Sequence, residues 1–135
     1  MSGDRIAELR NTINATRVVS TDNDVITLEF SAKAGGTVEG HTVQGLATHV
    51  SKRYPDGTET ATARIVLNAE GCPDQLVLTG MAAGTVRDDG SVLYEGLLVA
   101  RATRGRFVGL NGKAIVGTAQ MEADGTVTHV WHLFS

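Results

Sequence analysis

An all-β fold, a closed antiparallel barrel of about eight strands with one short N-terminal helix, is predicted by three features of the sequence. Two Thr/Val-rich runs within Gly35–Asn68 flank Tyr54-Pro55-Asp56-Gly57. Proline pre-sets φ at the first turn position and Asp-Gly suits the positions that follow, so the segment reads as a long β-hairpin. The same punctuation returns at Asp89-Gly90 and Asp124-Gly125, which gives the chain the rhythm of a meander. Glycines also fall inside the strand-like runs, at Gly80, Gly84, Gly109, Gly112 and Gly117. Such glycines mark bulges and bends, the corners a small barrel needs to close, and closure removes exposed strand edges.

Taken in order, residues 1–16 carry the chain's helical spacing, with Ile6, Leu9 and Ile13 at i, i+3 and i+7. A lone amphipathic helix of that length needs a surface to lie on. The barrel is expected over 17–135, in one domain. Val18-Val19 leads to a turn at Asp22-Asn23-Asp24, and Val25–Phe30 alternates apolar and polar residues. Ala34-Gly35-Gly36 breaks the run before the long hairpin. Glu70–Asp74 makes the next turn, Gln75–Val86 and Val92–Thr103 are strands, and Arg104-Gly105-Arg106 bends the chain. Phe107–Met121 and Thr126–Phe134 are the last two strands.

The 135 residues carry a formal net charge of −3, with acidic and basic side chains interspersed. No like-charge run marks a nucleic-acid groove or a membrane-surface patch, and no apolar run reaches the ~18–20 residues of a membrane-spanning helix. One cysteine, Cys72, excludes an internal disulfide and fits a cytoplasmic setting. It sits beside Pro73 with no His close in sequence, as a turn or packing residue would. Phe107–Ala114 resembles a phosphate-binding loop only at a glance, since it lacks the first glycine and the final Ser/Thr. His129 and His132, three apart on a strand, face opposite ways, which makes a zinc site using both improbable. No cofactor is expected.

Polar residues on apolar strands remain as candidates. Val127, His129, Trp131 and Leu133 share one face of the last strand. A His beside a Trp suits a general base near a planar or polyene ligand, or a hydrogen-bonded structural histidine. Glu95 and Arg101 share a face with Leu97 and Val99, with Tyr94 opposite; the outward reading pairs the two charges with neighbouring strands. In the central hairpin Thr60, Thr62 and Arg64 oppose Ala61, Ala63 and Ile65, and Glu39 and His49 are expected to meet Arg64 across strands. His129, His49, Glu39 and Arg64 are thus the catalytic candidates, and Trp131, Tyr94, Phe107 and Leu133 the substrate-binding ones.

Gly35-Gly36-Thr37-Val38-Glu39-Gly40, then Gly45, Pro55-Asp56-Gly57, Ala63-Arg64 and Leu110-Asn111, together resemble a family of small, uncharacterised bacterial β-barrel proteins. The resemblance runs from about Val25 to Phe134. That family is similar in fold to the calycin-like allene oxide cyclase barrels. Its pattern has an acid and a tryptophan before the Pro-Asp-Gly turn and an acid two before the arginine, whereas this chain has His49-Val50 and Thr62 there. The resemblance implies a cyclase or isomerase of secondary metabolism that folds a small hydrophobic substrate inside an apolar lumen. A binding protein using the same lumen without chemistry and a packed barrel acting through its exterior are the competing readings. The scarcity of aromatic residues beside many Gly, Ala and Thr favours a hollow interior. Apolar exterior residues such as Leu97 and Val99 suit a homodimer.

Overall fold

In the computed structural model, which describes residues 2–134, eight antiparallel strands close into one barrel in sequence order. They are β1 (Ser2–Ser20), β2 (Ile26–Val38), β3 (His41–Arg53), β4 (Thr58–Ala69), β5 (Gln75–Val86), β6 (Val92–Arg101), β7 (Ala114–Met121) and β8 (Thr126–Phe134). Met1 and Ser135, part of the expected helix and barrel, lie outside the described residues.

The expected N-terminal helix is a strand. β1 pairs with β2 on one side, as in Leu9↔Gly36, and with β8 on the other, as in Leu9↔His129. Ala7, Leu9, Asn11 and Ile13 alternate inward, a period-two pattern that coexists with the helical spacing of Ile6, Leu9 and Ile13. Tertiary closure decides between them. Without β1, the inner edges of β2 and β8 would have no hydrogen-bonding partner. Register shifts between Ile13 and Ala15 and between Val18 and Ser20 let this 19-residue strand bend around the wall.

Two further boundaries differ from expectation. β2 runs unbroken through Ala34-Gly35-Gly36 and turns only at Glu39-Gly40, where both residues have positive φ. Residues 102–113 are no strand but a loop with a 3-10 turn at Val108–Leu110. That loop plugs one end of the barrel. Phe107 and Leu110 are fully packed into the core beside Leu67, Leu76 and Ile115. Asn111 Oδ1 accepts from the Ala102 backbone N–H at 3.0 Å, and Asp74 Oδ2 accepts from the Arg106 N–H at 3.0 Å, tying the plug to the wall and to the β4–β5 turn.

At the opposite end three hairpins share one device. Asp56, Asp89 and Asp124 each accept, through Oδ1, the backbone N–H of the residue two further on: Thr58, Ser91 and Thr126. These local bonds fix the Asp-Gly turns legible in the sequence. Of the glycines read as strand corners, Gly80, Gly84 and Gly117 lie in strands, whereas Gly109 and Gly112 fall in the 102–113 loop. At inward-facing Gly45 and Gly80 a Cβ would overlap the backbone of the next strand, at Val66 and Leu97 respectively.

Candidate functional site: a half-hollow lumen

Period-two alternation sends one residue in two into the barrel, and the size of those residues decides where it is hollow. Toward the plugged end they are large: Val38, Val43, Leu67, Leu76, Leu78 and Ile115 are buried. Toward the Asp-Gly hairpins, four neighbouring strands contribute Ala61 and Ala63, Ala82, Gly96, and Gly117 and Ala119. These leave a cavity of ≈ 80 Å³, lined almost wholly by apolar atoms and walled on the other side by Phe30, His49, His129 and Trp131. Gly117 makes room for the indole, because a Cβ there would stand 3.2 Å from Trp131 Cδ1.

The polar groups form two clusters. The first is histidine-centred. His49 on β3 and His129 on β8 bring their rings to 6.0 Å, nearly parallel at 19°. His129 meets Trp131 edge to face at 6.2 Å. Asn11 on β1, completely buried, donates from Nδ2 to His129 Nε2 at 3.2 Å, which leaves the ring proton on Nδ1. Burial lowers the pKa of both histidines. For His129, to which the neighbouring His49 adds repulsion, it falls to about 4. Both rings are therefore neutral at pH 7. His49 Nε2 and Asn11 Oδ1 are buried and have no hydrogen-bond partner among the described residues.

The second cluster closes the hairpin end. Glu59 is 2% exposed. Its Oε2 accepts from Arg53 Nε at 2.5 Å and pairs with the same guanidinium's second nitrogen, while Oε1 accepts from Tyr94 OH at 2.5 Å. Arg53↔Glu59 is a cross-strand pair of the central hairpin, and Tyr94 leans across from β6 over Gly84, where a Cβ would come within 2.7 Å of its ring. Desolvation first, and then the hydrogen bond to Glu59, drives the Tyr94 pKa far up. Both carboxylate oxygens of Glu59 are thus engaged within the protein.

Of the residues singled out from sequence, His129, His49, Trp131 and Tyr94 line the cavity. Glu39 and Arg64 do not reach it. Glu39 sits in the β2–β3 turn at the plugged end, and Arg64 is exposed on the outer face of β4, opposite Thr48 rather than His49. Parity is the reason, since His49 and Arg64 point to opposite sides of the sheet. Phe107 belongs to the plug, edge-on to His41 at 5.9 Å. Leu133 packs against the core beyond Trp131. Glu95 and Arg101 are exposed outside. Asn11, Arg53 and Glu59 are the polar residues that sequence reasoning missed. The alternation Ala7-Leu9-Asn11-Ile13 was the available signal for the first. Among the described residues no three His, Cys, Asp or Glu side chains stand close enough to hold a metal ion, and no helix is long and apolar enough to cross a membrane.

The sequence matches no protein-family model and no curated protein. In structure the chain is similar to a conserved protein of unknown function from Rhodopseudomonas palustris, with a TM-score of 0.80 and 10% identity over 97% of this chain and 96% of that one. It is similar also to a protein with unknown function from Clostridium acetobutylicum ATCC 824, with a TM-score of 0.79 and 13% identity over the whole of both chains. At these identities the likeness is one of fold.

Proposed function

We propose that the protein binds one small, largely apolar molecule in the lumen and acts on it as a cofactor-independent cyclase or isomerase. The observation that carries this reading is His49, a residue lining the largely apolar cavity, whose buried Nε2 has no hydrogen-bond partner among the described residues. Buried polar atoms are nearly always hydrogen-bonded, so an unpartnered one on a residue that lines the cavity is a natural anchor for a ligand's polar group. The resemblance of the glycine-acid block to a family similar in fold to cyclase barrels supports the reaction class by analogy.

The electrostatics narrow the mechanism. A general base works best with a pKa near the operating pH, and His129 at about 4 is too weak for that. Its part is to hold Asn11 and face the indole, while His49 hydrogen-bonds the ligand. Rate enhancement then comes from confining the substrate in a reactive conformation, which can supply much of a barrier reduction on its own. The cavity of ≈ 80 Å³ is smaller than the ~150 Å³ void that accepts benzene. A substrate therefore enters by displacing half-buried side chains at the hairpin end, and Met121, unbranched and adaptable, is the readiest to move. A second reading, binding without chemistry in a cytoplasmic carrier, is favoured by the same facts: the two imidazoles are neutral and Glu59 and Tyr94 already satisfy each other.

Titration with a panel of polyenes, terpenoids and aromatic polyketides, followed by Trp131 emission, tests the proposal. A saturable shift is expected, abolished in Trp131→Phe and weakened about tenfold in His49→Phe, the worth of one hydrogen bond. Turnover of the bound compound separates enzyme from carrier. Absence of any response across the panel would overturn both readings.

A further inference from the structure

The outer wall carries a surface that the lumen does not explain. Across β3, β4, β5 and β6 the register places Val50, Thr62, Met81 and Leu97 side by side in one row. Met81 is 68% exposed and Leu97 50%. Large apolar side chains so exposed and so adjacent, continued by Val99 and Val66 nearby, mark an interaction surface. The neighbouring row toward the hairpins is Lys52, Thr60, Ala83 and Glu95. It begins with one charge and ends with the opposite one, with small residues between. Together the two rows bound a depression of ≈ 560 Å³ whose walls include Lys52, Tyr54, Met81 and Leu97.

We propose that this face docks a second copy of the same chain about a two-fold axis running along the strands between β4 and β5. An isologous interface requires a self-complementary patch. The register supplies one. The rotation exchanges β3 with β6 and β4 with β5, so Lys52 of each copy meets Glu95 of its partner, and the ion pair forms twice. In the adjacent row the tall residues meet the short ones: Leu97 covers Val50 and Met81 covers Thr62. The depression over Thr60 and Thr62 receives the ridge made by Met81 and Leu97. Strands of the two sheets then run aligned, the usual arrangement for sheets packed face to face. A peptide or an unrelated protein would have no need of charges placed symmetrically about the patch centre. Four strands at ~4.8 Å spacing and six residues of length make a face of roughly 20 Å by 20 Å. That is small beside the ~800 Å² per partner of a standard interface, so a weak, reversible dimer is expected.

Sedimentation equilibrium on the full chain at concentrations from about 1 to 200 µM tests the proposal, since that range brackets weak self-association. The expected result is a dimer mass at the top of the range and a monomer mass at the bottom. Met81→Glu, on a side chain that is 68% exposed, should be monomeric throughout. Lys52→Glu should raise the dissociation constant at least about tenfold, and Lys52→Glu combined with Glu95→Lys should return it to within about threefold of the parent, because opposite charges again face each other. Far-ultraviolet circular dichroism confirms that each variant remains folded. A monomer at 200 µM, a dimer unaffected by Met81→Glu, or a charge swap no better than the single reversal would each overturn the proposal. In the first case the face would belong to a different partner.

Discussion

At the scale of single residues, the hollow end of the barrel is governed by which polar groups have found partners. Glu59 has two, Arg53 and Tyr94, and is almost completely removed from water. Removing one partner leaves part of a buried carboxylate unsatisfied, which costs more than the bond itself. Tyr94→Phe is expected to destabilise by about 1–2 kcal/mol in urea denaturation, and Arg53→Met by about 2 kcal/mol, the guanidinium's partial exposure moderating the loss. His129 acts through its neutrality. Its pKa lies at about 4 in the folded protein against an ordinary 6.5, so the unfolded chain binds the proton more readily. Stability is therefore fully present above pH ~6.5 and falls as the pH drops from there to about 4, by at most about 3 kcal/mol. His49, lowered by burial as well, adds to the loss in the same direction. Midpoints of thermal unfolding measured from pH 8 to pH 4 should show the decline, and His129→Gln should flatten it. An equally steep decline in that variant would show that other groups cause it.

At the scale of elements, each wall of the lumen follows from which face of a strand is small. β4 to β7 present Ala and Gly to the hollow end, and β3 and β8 present the rings. Gly45 and Gly80 lie where adjacent strands come too close for a Cβ, so Gly45→Ala should cost about 2–3 kcal/mol by overpacking, read as a lower urea midpoint with an unchanged slope. Much of this was legible in the sequence. The face Val127-His129-Trp131 could be preferred for the lumen because strict alternation leaves two choices and this one carries the only tryptophan. Three of the turns could be placed because Asp-Gly has few alternatives. β1 was illegible for a physical reason. Its spacing satisfies a helix and a strand alike, and the deciding interaction lies more than a hundred residues away. Asn11, riding on that misread element, was lost with it. Arg53 and Glu59 were missed because their meeting depends on register across the turn, which the residue types alone do not state. Phe107 sat in a run that looked like strand and is held as a plug by Asn111 and Asp74. Deleting residues 2–20 should leave a chain that aggregates rather than folds, because β2 and β8 would both become open edges; a soluble, cooperatively melting product would contradict this.

At the scale of the whole molecule, the barrel has a seam. The site lies across it: the Asn11–His129 hydrogen bond joins residues 118 apart in the chain. Meander pairings between neighbouring strands are local and form early, whereas joining the first strand to the last requires closing nearly the full length of the chain. The seam therefore sets the order of events in time. While the last strand is still being synthesised, seven strands can already pair, yet His129 has no Asn11, Trp131 has no partner in Ala7, and the lumen is an open trough. The proposed ligand binding should consequently appear only in the slowest refolding phase, later than most of the β-sheet signal in circular dichroism. A ligand that occupies the lumen would slow unfolding by holding the seam shut, so its residence time and the lifetime of the closed ring would rise together.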